Sequence, residues 1–143
     1  MKKPILYFDM DNVLVDFQSG IDATSPEVLA QYADDGKGMP HYDDIPGIFQ
    51  RMKPVEGAAQ AVKTLSEQFD CYILRKHFGD VFYKRVIFSH HKNLCFQPNA
   101  WLIDDRKAHG ASEFGERHIH FLTERFPDWA SVINHLMSVA TAR

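Results

Sequence analysis

Ile5-Leu6-Tyr7-Phe8-Asp9-Met10-Asp11 is the stretch that decides the fold. Ile5 to Phe8 is apolar without alternation, the pattern of a short strand buried on both faces in a parallel sheet. It stops abruptly in two acids one residue apart. A second apolar run, Trp101-Leu102-Ile103, ends the same way in Asp104-Asp105. Strands of a parallel sheet all point their C-terminal ends to one edge, where ligands bind. The two acidic pairs, distant in sequence, are therefore expected to meet in space.

The rest of the chain alternates strand and helix patterns. Pro54-Val55-Glu56-Gly57 opens a predicted helix running to about Gln68, with Ala58, Ala61, Val62 and Leu65 on one face at helical spacing. Cys71 to Leu74 reads as a second buried strand. A helical stretch around Val81 to Lys84 leads to a strand from Val86 to Phe88, and His118 to Phe121 is the last strand. Trp129 to Val139 closes as an amphipathic helix carrying Val132, Ile133 and Leu136 on one face. This alternation predicts an α/β fold with a parallel sheet flanked by helices. Residues 18 to 56 differ in texture. They hold a helix start at Ser25-Pro26-Glu27, a loop at Asp34-Asp35-Gly36-Lys37-Gly38 and a short amphipathic stretch from Ile45 to Met52, with Tyr32, Tyr42 and Phe49 scattered among them. They are expected to form a small helical insertion after the first strand.

Carboxylates crowded at one sheet edge repel strongly where the dielectric is low, and a fold tolerates this when a cation sits among them. Hard carboxylate oxygens, without paired Cys or His, suit Mg2+. An ion held by few carboxylates keeps positions open for phosphate oxygens. One aspartate of Asp9-Met10-Asp11 can then attack phosphorus, while the other protonates the leaving oxygen and later activates water. Lys92, in Ser89-His90-His91-Lys92-Asn93 just after a strand, is the candidate to neutralise the phosphoryl oxygens. Its bland alternative is a solvated surface lysine. His90 and His91 are adjacent, so in an extended segment they point opposite ways and cannot ligate one ion. His118 and His120 share a strand face without further ligands nearby, Trp101 and Trp129 read as core, and Arg106 as a partner of the adjacent acids.

At 143 residues and a net charge of -3, the chain has room for one core and lacks the clustered basic face that grips a nucleic-acid polymer. Two cysteines, Cys71 and Cys95, are too few for a disulfide scaffold. No apolar run approaches the roughly 20 residues that span a bilayer, and the run after Lys2-Lys3-Pro4 is cut by Asp9 and Asp11, unlike a signal peptide. A cytoplasmic protein without a membrane partner is expected; oligomeric state is left open.

Asp9-Met10-Asp11-Asn12-Val13-Leu14-Val15-Asp16-Phe17 resembles the first motif of haloacid dehalogenase (HAD) phosphatases, and more narrowly that of bacterial 5'(3')-deoxyribonucleotidases, D-M-D-G-V-L-x-D-F. The similarity continues through His90-His91-Lys92-Asn93-Leu94, Leu102-Ile103-Asp104-Asp105-Arg106, Gly110-Ala111-Ser112-Glu113-Phe114 and His118-Ile119-His120-Phe121. The resemblance implies a Rossmann-like HAD fold, with a core of residues 1–17 and 57–143 and a helical cap of residues 18–56 that closes over substrate. It implies Asp9 as nucleophile and Mg2+ ligand, and Asp11 as acid/base and ligand through its backbone carbonyl. Asp104 becomes the late metal ligand with Asp105 supporting it, and Lys92 the phosphate holder. Phe17 matches an aromatic that lies against the base of a nucleotide; a core phenylalanine is the alternative.

Two departures stand out. Asn12 replaces a commoner glycine, a small change because asparagine tolerates left-handed backbone angles. The family's second motif, a Ser or Thr ending the second core strand, is missing: Cys71-Tyr72-Ile73-Leu74 runs straight into Arg75-Lys76-His77. The resemblance favours a longer stretch between Leu74 and Arg75, in which case their Cα atoms lie much further apart than the roughly 3.8 Å of bonded neighbours. If they are bonded, the phosphate site lacks a hydroxyl, and a catalytically impaired nucleotide-binding protein gains ground on the enzyme. The expected function is a magnesium-dependent phosphomonoesterase for (deoxy)ribonucleoside monophosphates acting through an aspartyl-phosphate. A phosphatase for another small phosphometabolite is the alternative within chemistry. A phospho-accepting receiver domain fits less well, because it carries its paired acids on the first strand and its single acceptor on a middle one.

Overall fold

The computed structural model describes residues 2–75, 86–88 and 91–142; the expected helical stretch Val81 to Lys84, and Ser89 and His90, lie outside them. Among the described residues, five strands form one parallel sheet. They are β1 (Ile5–Phe8), β4 (Asp70–Arg75), β5 (Val86–Phe88), β6 (Ala100–Asp104) and β7 (His118–His120). A two-residue ribbon pairs β2 (Val15–Asp16) antiparallel with β3 (Lys53–Pro54).

Alternation along β1 explains both layers. Leu6 and Phe8 face one side, where α4 (Ala58–Ser66) contributes Ala58, Ala61 and Leu65 and α5 (Trp129–Thr141) contributes Trp129, Val132 and Leu136. Tyr7 faces the other side with Leu102, Ala111 and Phe114, under the 3-10 helix Ala111–Arg117. Each fully buried Leu, Ile or Phe contributes about 1.5–3 kcal/mol over an exposed one, so this two-sided core carries the fold. Asp128 caps α5 reciprocally with Ser131, and the Trp129 indole N–H donates to the Val13 carbonyl at 3.0 Å. The start of α5 is thereby fastened to the loop that follows β1.

The segment between β2 and β3 has its own cluster. Ile45, Ile48 and Met52 are buried, with Phe17, Val28, Leu29 and Tyr32 packed on them. Its helices are α1 (Phe17–Asp22), α2 (Pro26–Gln31) and α3 (Ile48–Arg51). Ser25 caps α2 with Pro26 in its first turn, as the sequence pattern predicts. In the loop that follows, the Asp34 carboxylate accepts from the Gly36 and Gly38 amides, each at 2.8 Å.

Two expectations are corrected. The helix expected from Pro54 begins only at Ala58: Pro54 pairs with Val15 in the ribbon, and Gly57, at φ 80°, turns the chain into α4. The edge ribbon tolerates Pro54, which has no N–H to pair. The favoured extra stretch between Leu74 and Arg75 is absent. Strand β4 runs through both without a break, in consecutive register with Ile87 and Phe88.

Candidate active site

The sheet order places β1 between the two halves of the fold: β4 and β5 lie to one side, β6 and β7 to the other. The crevice between β1 and β6 is the switch point at which open α/β sheets bind ligands. Phe8 is in register with Ile103, so the next residues, Asp9 and Asp104, emerge side by side, and the Asp9 amide donates to the Ile103 carbonyl at 2.8 Å. Asp104 is fully buried. Carboxylate oxygens of Asp9, Asp104 and Asp105 all lie within 4.8 Å of one another.

Lys92 reaches into this cluster. Its ammonium donates to Asp9 Oδ1 at 3.3 Å and to Asp104 Oδ2. Its side chain is 11% exposed, which rules out a solvated surface lysine. Lys92 opens the 3-10 helix Lys92–Cys95, and its amide donates to the His109 carbonyl at 2.7 Å. Gly110, at φ 84°, makes that approach feasible: a Cβ there would lie 2.4 Å from Asn93 Oδ1. The His109–Gly110 turn is thus the seat of Lys92. Arg106 engages the acids through its backbone amide, which donates to Asp104 Oδ1 at 3.0 Å.

The electrostatics follow from crowding. Burial, then the charge of Asp104, pushes the Asp9 carboxyl up to about 7; Lys92 pulls against this, and Asp11 and Asp105 add to the rise. Asp105 is raised by burial and by Asp104. Burial alone would lower the Lys92 ammonium, but Asp9 and Asp104 outweigh it and hold it above its ordinary range. A cluster of three carboxylates, one of them fully buried, against one ammonium among the described residues fits a hard divalent cation, and its donors are all oxygen. The Asp11 carboxylate stands outside that set but close enough to act on Asp9.

A pH dependence is expected. Folding raises the Asp9 carboxyl from 3.8 to about 7, so the native state binds a proton more tightly than the unfolded chain. The resulting stability is present at low pH and is lost as pH rises from about 4 to about 7. Melting temperature without divalent ions should therefore fall across that window, and an excess of a hard divalent cation should restore it most at the upper end. Calorimetric melts at several pH values check this; a flat profile would mean that the carboxylates are not crowded in solution.

The structure thus brings together Asp9, Asp104, Asp105 and Lys92. Phe17 lies outside the cluster, half-buried at the start of α1, its ring 6.1 Å from that of Phe49. His118 and His120 stack 5.3 Å apart on β7, and His120 Nε2 lies 3.1 Å from the Asp105 carbonyl, beside the acid loop. That contact, and the seat of Lys92 on Gly110, had no signal in the sequence beyond the motifs in which they sit.

No family model matches the chain. A curated relative from Vibrio phage KVP40, "Putative 5'(3')-deoxyribonucleotidase", is 48% identical over 154 residues, covering 95% of this chain and 86% of its own length. The matched stretch is longer than this 143-residue chain, so the relative carries residues with no counterpart here. Among solved structures, a HAD-superfamily hydrolase from Ehrlichia chaffeensis superposes with a TM-score of 0.58 at 14% identity, covering 97% of this chain and 98% of its own. The parallel sheet and the acids at its switch point share the fold of that hydrolase, and the phage relative fixes the family: the chain belongs to the 5'(3')-deoxyribonucleotidase family.

Proposed function

We propose that the protein is a magnesium-dependent phosphomonoesterase acting on (deoxy)ribonucleoside monophosphates through an aspartyl-phosphate on Asp9. The observation that carries this reading is the placement of Asp9 beside Asp104 across the β1–β6 crevice, with the Lys92 ammonium on both. Asp9 and Asp104 would hold Mg2+ with the Asp11 carbonyl, and Asp105 would support them; the bound ion supplies charge neutralisation for the phosphoryl oxygens. Asp9 Oδ attacks phosphorus as the ester bond to the nucleoside oxygen breaks, and Asp11 delivers a proton to that oxygen. Asp11, now ionised, takes a proton from a water molecule, whose oxygen attacks the same phosphorus and frees inorganic phosphate and Asp9. Lys92 holds the transferring group. Residues 18–56 act as a cap that keeps bulk water out, with Phe17 against the base. The name of the phage relative supports a nucleotide substrate.

The unbroken strand β4 favours a second reading, a nucleotide-binding protein with weak turnover, because the strand itself carries no Ser or Thr after Ile73 to hold a phosphoryl oxygen. The hydrolase reading stays first on physical grounds. A cluster of carboxylates repels a phosphate and serves binding poorly, whereas nucleophilic attack and proton transfer need it.

Turnover of a panel of nucleoside monophosphates and sugar phosphates, with and without Mg2+, separates the readings. Mg2+-dependent release of phosphate from nucleotides is expected; saturable nucleotide binding without release would establish the binding protein. In the same panel Phe17→Ala should lower kcat/KM for nucleotides by about tenfold, the worth of one stacked base, and leave glycerol 2-phosphate nearly unchanged. Equal losses would assign Phe17 to the core.

A further inference from the structure

Asn12 is one of three non-glycine residues among the described ones with a left-handed backbone, at φ 61°. Glycine adopts that conformation without the steric cost that an asparagine Cβ adds. A side chain kept at such a position is expected to do something the backbone does not require, and here it makes two contacts. Its Nδ2 donates to Asp105 Oδ2 at 3.5 Å, on the acid loop after β6. Its Oδ1 accepts from the Phe17 amide at 3.4 Å, at the first residue of α1. A first-turn amide has no partner within its own helix, so the Asn12 carboxamide completes α1 at the point where the chain leaves the core. The same turn is held from below by the Met10 carbonyl, which accepts from the Leu14 amide at 3.0 Å and the Val15 amide at 3.1 Å. The Asn12 side chain therefore projects from a fixed base, with one arm on the acid loop and the other on the root of the helix that carries Phe17.

We infer that Asn12 is a positioning residue that ties the acid loop to the root of α1 and thereby favours phosphate esters large enough to reach Phe17. This rests on the phosphatase reading above. A substrate that stops at the phosphoryl group uses only the acids and Lys92. One that extends to a base also needs Phe17 at a fixed distance from those acids, and the two Asn12 contacts span that distance. A lost tie thus weakens the extended substrate and spares the short one.

The test compares wild type, Asn12→Gly and Asn12→Asp with deoxythymidine monophosphate and glycerol 2-phosphate under saturating Mg2+. Glycine relieves the backbone and removes both arms, so Asn12→Gly should fold and melt no lower than wild type. Its kcat/KM for the nucleotide should fall about tenfold, as for loss of net hydrogen bonding worth one decade, with the small ester changed less than about twofold. Aspartate keeps the acceptor for Phe17 but faces Asp105 with like charge, so Asn12→Asp should show at least the same selective loss. Equal losses on both substrates, no loss in Asn12→Gly, or full nucleotide activity in Asn12→Asp would each overturn the tie. If wild type hydrolyses neither substrate, the phosphatase reading fails by itself. Calorimetric binding of deoxythymidine monophosphate to wild type and Asn12→Gly then decides the tie: about tenfold weaker binding supports it, and equal binding overturns it.

Discussion

Asp9→Asn is expected to lower turnover roughly a thousandfold or more, the scale on which loss of a nucleophile acts. An amide oxygen does not form the acyl phosphate, and it is a poor ligand for a hard cation. The fold should not suffer. Asp9 already resists ionisation, through burial and then through Asp104, so a neutral amide removes repulsion from the cluster. The variant should melt at or above the wild-type temperature near pH 8 without Mg2+, which separates lost chemistry from lost structure. Acid-quenched samples should show a phosphorylated protein in wild type and none in Asp9→Asn. A variant with near wild-type rate would remove Asp9 from its assigned role.

Lys92→Met is expected to lower kcat by about 10²–10³-fold, as for removal of one group that stabilises developing charge. It should also destabilise the fold. Asp104 is fully buried, and taking away the ammonium that touches it leaves an uncompensated carboxylate, a loss on the order of 3–5 kcal/mol. Asp9 moves further up, because Lys92 is the group that pulls it down. The acid limb of any pH–rate profile should therefore shift to higher pH. Lys92→Arg should recover stability more than activity, since a planar guanidinium replaces a compact ammonium on the same narrow seat. Melts and kinetics of the two variants check this; unchanged kinetics in Lys92→Met would make Lys92 a bystander.

Where chemistry and strand pattern coincide, the sequence told most. Ile5–Phe8 and Trp101–Ile103 are continuous apolar runs ending in acids, and a parallel sheet leaves such runs one geometry, which is the one found. Lys92 was legible as a cation after a strand, yet its burial was not, because that comes from the His109–Gly110 turn closing over it. The sequence predicts too early a start for α4 because Pro54 resembles a first-turn proline, and only the partner strand at Val15–Asp16 reveals it as an edge residue. The missing hydroxyl after β4 was visible in the sequence; the explanation favoured for it was not the one the unbroken strand supports. Among the described residues, no helix is long and apolar enough to cross a membrane. Phe17 shows the limit of pattern reading: that its ring lies beside the ring of Phe49 had no signal in the sequence.

The ribbon of Val15–Asp16 with Lys53–Pro54 brings together the two points at which the intervening segment joins the core. Ser19 staples them, its hydroxyl donating to the Asp16 carbonyl at 2.6 Å and accepting from the Lys53 amide at 2.8 Å. Topologically, everything between is a loop whose ends already touch, so replacing it adds little chain-closure entropy however long the substitute. On the proposed reading, in which that segment is the cap over the substrate, the whole module could be exchanged as one graft, re-aiming the activity at a different leaving group while Asp9 and Asp104 stay side by side.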